Sequence, residues 1–165
     1  KLPDDLDRRY HQIIERCNVM VIDRFLPGDE IRSLFDSADI YVLPSARLHV
    51  VSILQAMAHG LAVVASDGWG ISEYIDHERN GLIVAGRYGE TSWMTSDGML
   101  MEDYRPLLKR TPKVAGALRD ILAMLINDPD RRQQLGETAR RDVETRFSLD
   151  AWNVGLATAF DRALA

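Results

Sequence analysis

IYVLPSARLHVVSILQAMAHGLAVVASDGWGISEYI, residues 40–75, decides the fold of this 165-residue chain. The run Ile40 to Leu43 is apolar, of strand length, and stops at Pro44-Ser45. Apolar residues then recur at helical spacing, as Val51, Leu54, Met57 and Ala58, until Gly60 ends the helix. A second apolar run, Ala62 to Ala65, stops at Ser66-Asp67-Gly68, and another helix is expected after Gly70. Strand, loop, helix, repeated twice, predicts a parallel α/β sheet. In a doubly wound sheet both turns lie at the carboxyl ends of strands, where helix N-termini aim free N–H groups at a bound anion. A diphosphate is the natural ligand of such a place.

Working outward, Leu6, Tyr10, Ile13 and Ile14 recur at helix spacing and predict an opening amphipathic helix that ends near Cys17-Asn18. Val19 to Ile22 reads as a strand. Pro27-Gly28-Asp29 makes a turn with Asp29 as N-cap, and Ile31, Leu34 and Phe35 are expected on the buried face of a short helix. On the other side, Gly81 to Val84 is a short apolar strand. Residues 85–112 follow, and Asp97-Gly98 between short apolar runs there predicts a hairpin or lobed loop. Val114 to Ile126 is helical, Pro129 starts a second helix with Leu135, Ala139 and Val143, and Ser148 caps a third through Trp152, Leu156 and Phe160. These three helices are expected to close the domain.

Composition narrows the function classes. An apolar content of 46% over this length supports one full core, so residues 1–165 are read as a single domain. A net charge of -5 with interspersed signs and no basic stripe argues against nucleic-acid binding, and Arg131-Arg132 and Arg140-Arg141 read as solvated helix faces. The one cysteine, Cys17, excludes an internal disulfide framework and suits a cytoplasmic setting. No apolar stretch approaches the ~20 residues of a membrane span, and no signal peptide is visible. Peripheral membrane contact of a larger enzyme remains open. No Gly-x-Ser-x-Gly elbow surrounds Ser45, and neither a Gly-x-Gly-x-x-Gly nor a Gly-x-x-x-x-Gly-Lys occurs, which counts against hydrolase, dinucleotide oxidoreductase and P-loop readings. The four histidines show no metal-ligand spacing, so no metal is expected.

At Leu43-Pro44-Ser45, QAMAHG (55–60), VVASD (63–67), GISEYI (70–75) and NGLIV (80–84), the chain resembles the C-terminal, donor-binding domain of retaining glycosyltransferases of the GT-B architecture, group 1 or family 4 type. The resemblance runs from about Leu6 to Val84 and resumes weakly over the C-terminal helices. It implies a Rossmann-like doubly wound sheet that binds a nucleoside-diphosphate sugar, with no cofactor and no required metal. It also implies an N-terminal acceptor domain outside this chain. In the family's domain a strand, a helix and a second strand precede the opening helix, and those two strands lie in the middle of the sheet between the strands at Val19 and Ile40. The chain is therefore expected to be a piece of that domain, itself half of a two-domain enzyme. Residues 85–112 are then an insertion that the family pattern lacks.

The same resemblance places the donor over the loop from Arg47 to Ser52, with the ribose near Gln55. The expected donor-binding residues are Arg47, His49, Val50, Val51, Ser52, Gln55, Gly70 and Glu73; no catalytic residue can be assigned. Two carboxylates that mark the family's donor site are replaced here by Arg47 and Gln55. Gln keeps an acceptor for a ribose hydroxyl and adds donors. Arg47 reverses a charge: its guanidinium either pairs with phosphate oxygens or closes a degraded site against a carboxylate such as Glu73. His49 precedes the helix and either donates a hydrogen bond to phosphate oxygens or is a loop residue without a ligand. Glu73 is expected in the first turn of the helix after Gly70, where it either touches the donor or stabilises the helix alone. Gly68 and Gly70 serve backbone geometry, and His59, at a helix C-terminus, reads as structural. Two alternatives stand beside the transferase: a non-catalytic domain that kept the fold and lost the chemistry, and a sugar-nucleotide epimerase of the same architecture.

Overall fold

A computed structural model describes residues 10–15, 18–45, 49–68, 70–85 and 112–164. The chain divides into two compact units, Lys1–Arg32 and Ser33–Ala165.

In the first unit residues 10–15 are helical (α1), as the periodicity predicts. Residues 19–22 belong to no strand, and Val19, Met20, Val21 and Ile22 are all exposed. The expected strand is thus not formed. A strand is stabilised by the ladder to its neighbour, and no described residue pairs with this segment. Helix α2, Gly28–Ser37, begins one residue before the expected cap: Ile31 donates its N–H to Pro27 O at 3.0 Å, and Asp29 lies in the first turn as an acid facing the helix dipole. On its apolar face Ile31 and Phe35 are half-buried rather than buried, and Leu34 is exposed.

The second unit holds a three-stranded parallel sheet in the order β1-β2-β3, with β1 Ile40–Leu43, β2 Ala62–Ser66 and β3 Leu82–Val84. Ile40 pairs with Ala62 and Val64 with Leu82, so consecutive strands lie side by side. Helix α3, Val50–Ala58, connects the first two. The second connection is no full helix. It is a single 3₁₀ turn, Ile71–Glu73, because the Asp76 N–H is taken by Asn80 Oδ1 at 2.8 Å and the chain turns instead of winding on.

Three helices follow, α4 (Pro112–Asn127), α5 (Pro129–Arg146) and α6 (Leu149–Leu164). Alternate residues of β2 face opposite layers. Val63 and Ala65 meet Ile53, Ala56 and Met57 of α3; Ala62 and Val64 meet Val114 and Leu125 of α4. Helix α5 serves both layers, with Leu135 in the second cluster and Ala139 in the first. Its Gly136 lies against the turn after α3: a Cβ at Gly136 would stand 1.9 Å from Gly60 O. Gly60 itself has φ 74°, so two glycines are needed for the crossing, one for conformation and one for space.

The ends of these helices follow their capping chemistry. Asp128 caps α5 by accepting from the Arg131 N–H at 2.9 Å, and Ser148 Oγ accepts from the Ala151 N–H at 3.2 Å. Arg131 and Arg132 are not free solvated charges. Arg132 Nη1 donates to the Leu125 carbonyl at 2.6 Å, closing the end of α4, and Arg131 Nη2 donates to Glu78 O at 2.6 Å. Helix α6 does not close a core as expected: Trp152 and Phe160 are each 62% exposed. The hairpin expected around Asp97-Gly98, Cys17 and the bulk of the 85–112 insertion lie outside the described residues.

Candidate functional site

Because all three strands are parallel, the segments after Leu43, Ser66 and Val84 leave the sheet at one edge. The Asp67 N–H donates to Val84 O at 3.0 Å, tying two of these exits together. Helix α3 starts at this edge. His49 occupies its N-cap position with φ -114° and makes no side-chain cap, and no acidic residue stands in the first turn. The first intrahelical bond, Ile53 N–H to His49 O at 3.1 Å, leaves the earlier N–H groups of Val50 to Ser52 without that kind of partner. Ser52 turns its hydroxyl back to His49 O at 3.1 Å, so among the described residues neither it nor His49 caps these N–H groups. The arrangement can receive an anion, and α5 and α6, each with an oxygen cap, cannot in the same way.

The expected donor residues fall into two groups. His49, Val50, Val51, Ser52 and Gln55 share the first turns of α3, where His49, Val51 and Gln55 are exposed. Gly70 and Glu73 belong to the loop after β2. Gly70 has φ 82°, a left-handed conformation that glycine adopts without strain, and Glu73 is exposed at the end of the 3₁₀ turn rather than at the start of a long helix. Glu73 therefore gains little from a helix dipole, since three residues carry little of a helix field. Arg47 and Trp69 lie outside the described residues. His59 is structural as expected: its Nδ1 meets Asp36 Oδ1 at 2.7 Å, and its ring stacks on Phe35 at 5.3 Å. His77 is more than a surface residue, since its Nδ1 accepts the Ile83 N–H at 2.9 Å at the start of β3. Among the described residues no cluster of His, Cys, Asp or Glu could hold a metal, and no helix is long and apolar enough to cross a membrane.

One constellation escaped the sequence. Asp142, on α5 and 6% exposed, accepts from Asn80 Nδ2 at 2.6 Å, from both Arg79 nitrogens and from Arg146 Nη1 at 3.1 Å. Arg79 and Arg146 also reach Asp76. Burial alone would push the Asp142 carboxyl up, but the Arg79 and Asn80 donors outweigh it and hold it below the usual carboxylate range. Arg79 holds Asp76 low in the same way, and the two carboxylates push Arg79 up. Asn80 was visible in a family-like block, but nothing in the chain pairs it with a residue 62 positions away. Ser66, 3% exposed at the end of β2, also stands out: its hydroxyl has no hydrogen-bond partner among the described residues.

The comparisons with known proteins agree with this architecture. Residues 2–95, more than half of the chain, match the family model described as glycosyl transferases group 1. The alpha-maltose-1-phosphate synthase of Mycolicibacterium smegmatis is 31% identical over 135 residues, which cover 81% of this chain and 30% of that protein. The C-terminal domain of a group 1 glycosyl transferase family protein, LpcC of Francisella tularensis, superposes with a TM-score of 0.61 at 20% identity over 88% of this chain and 62% of that one. Anabaena Alr3699/HepE, solved in complex with UDP and glucose, superposes with a TM-score of 0.62 at 20% identity over 96% of this chain and 37% of that one. The chain thus has the α/β fold of GT-B C-terminal domains and spans less than a third of the length of the curated relative it matches over most of its own. A parallel sheet, an uncapped helix start at its carboxyl edge and a family match over residues 2–95 lead to one assignment: the chain belongs to the group 1 glycosyltransferases.

Proposed function

We propose that this chain is the donor-binding part of a glycosyltransferase that moves a sugar from a nucleoside diphosphate to an acceptor held mainly by a separate N-terminal domain. The observation that carries the reading is the start of α3: N–H groups with neither cap nor acid, at the carboxyl edge of the sheet, in a chain of this family. The diphosphate is assigned to the turn from Arg47 to Ser52, with His49 beside it and the ribose hydroxyls at Gln55. Gly70 and Glu73 border it from the loop after β2. Residues 1–165 then form one donor domain with an insertion at 85–112. Transfer with retention of configuration and without metal follows the family resemblance; N–H groups and the Arg47 cation supply the stabilisation of the leaving diphosphate, whose charge grows as the glycosidic bond breaks. A cytoplasmic setting fits the single Cys17.

Calorimetry with UDP tests the placement. Gln55→Ala is expected to weaken UDP binding by about 1–2 kcal/mol, the scale of hydrogen bonds to a hydroxyl. Unchanged affinity in a folded variant rejects the ribose assignment. A second reading rests on the replacement of two family carboxylates by Arg47 and Gln55: a domain that binds nucleoside diphosphates and transfers nothing. Turnover by the full-length protein separates the two.

A further inference from the structure

The loop that carries Gly70 and Glu73 is fixed at both ends. At its front the Asp67 N–H meets Val84 O; at its rear the Ile75 N–H returns to Ile71 O at 2.9 Å, and Ile71 and Ile75 are buried. Immediately behind, Asn80 clamps the chain twice, with Oδ1 accepting the Asp76 N–H at 2.8 Å and Nδ2 donating to Tyr74 O at 3.1 Å. Asn80 is fully buried, and the acceptor that orients its amide is Asp142 Oδ2 at 2.6 Å. Tyr74 also stacks on Phe147, at the end of α5, with centroids 5.4 Å apart. A hydrogen-bond relay therefore runs from α5 through Asn80 to the last residues of the loop.

Resting on the donor-site reading above, we propose that Asp142 is a positioning residue for the nucleotide site: through Asn80 it holds the segment Gly70 to Glu73 in the geometry that meets the diphosphate sugar. The carboxylate is needed because Asn80 must present Nδ2 to it and Oδ1 to the Asp76 amide at once. An amide at position 142 keeps one oxygen for Asn80 Nδ2 but turns a donor toward Arg79 Nη1, which already donates, and gives up the charge that gathers the two arginines, so the clamp is held less firmly.

The test compares Asp142→Asn with Leu135→Ala, a fully buried α5 residue in the cluster opposite the one that holds Ile71 and Ile75. Two readouts are taken on the full chain, UDP affinity and amide exchange at Ile71, Glu73, Tyr74 and Ile75. Asp142→Asn is expected to weaken UDP binding about tenfold and to speed exchange at these amides about tenfold relative to those of β2. Leu135→Ala is expected to lower the melting temperature while leaving UDP affinity and the loop-to-β2 exchange ratio at parent values. Arg146→Met, which removes one half-exposed donor to Asp142, is expected to act in the same direction more weakly and serves if Asp142→Asn does not fold. The proposal is overturned if loop exchange does not respond to these two variants, if Leu135→Ala moves it equally, or if exchange quickens while UDP affinity holds. A parent chain that binds no UDP rejects the donor-site reading instead, and the exchange comparison still decides whether Asp142 holds the loop.

Discussion

At the scale of single residues, the tightest constraint is the crossing of α5 over the turn at Gly60. A Cβ at Gly136 would meet backbone rather than a movable side chain, so Gly136→Ala is expected to cost about 3 kcal/mol or more, read as a lower midpoint in urea with an unchanged slope. A cost below about 1 kcal/mol would mean that α5 can shift freely. Glu78 presents the opposite case. It is the one described non-glycine residue with positive φ, 66°, and its side chain is exposed. Glu78→Gly is expected to raise stability by about 0.5–1 kcal/mol, since relief of left-handed strain exceeds the entropy glycine adds to the unfolded chain. A fall in thermal midpoint contradicts this. Gly60 and Gly70 were legible in the sequence as a helix end and a loop residue. The roles of Gly136 and Asp142 were not, because periodicity shows which face of a helix is apolar and not which distant backbone it touches.

Among elements, the strands were the most legible. Short apolar runs bounded by Pro, Ser and Gly gave β1, β2 and β3 within a residue or two. Two expectations failed for one physical reason, that local pattern cannot report a partner. Residues 19–22 have a strand's composition without a ladder, and the stripe of Trp152, Leu156 and Phe160 on α6 has a core helix's spacing without a core. The element with the clearest response to solution conditions is α5. Asp142 and Asp76 have folded pKa values below those of unfolded carboxylates, so they stabilise the fold above about pH 4. That contribution is lost as pH falls through the lower folded values, because the unfolded chain then binds protons the native state refuses. Stability measured between about pH 5 and pH 2 should therefore fall less steeply in Asp142→Asn than in the parent; equal slopes would show that this carboxylate is not the linked group.

For the whole molecule, the chain alone is expected to transfer no sugar even if it binds donor. Transfer needs the acceptor hydroxyl held against the anomeric carbon in a closed cleft, and that fixed geometry supplies much of the acceleration. Purified chain incubated with UDP-, GDP- and ADP-sugars and a panel of acceptors should yield no glycosylated product; any product that depends on the chain contradicts the division of labour proposed above. The placement of α5 across both layers has another consequence, in time rather than in space. The strands pair with neighbours about twenty residues away, whereas Asp142 meets Asn80 across 62 positions. Closing the longer span costs more chain entropy before any contact rewards it, so α5 should dock after the barrier to folding is crossed. Gly136→Ala and Asp142→Asn should then hasten unfolding while leaving the refolding limb of a denaturant chevron in place, and the lifetime of the native protein, more than its rate of formation, is set by how firmly this one helix stays seated.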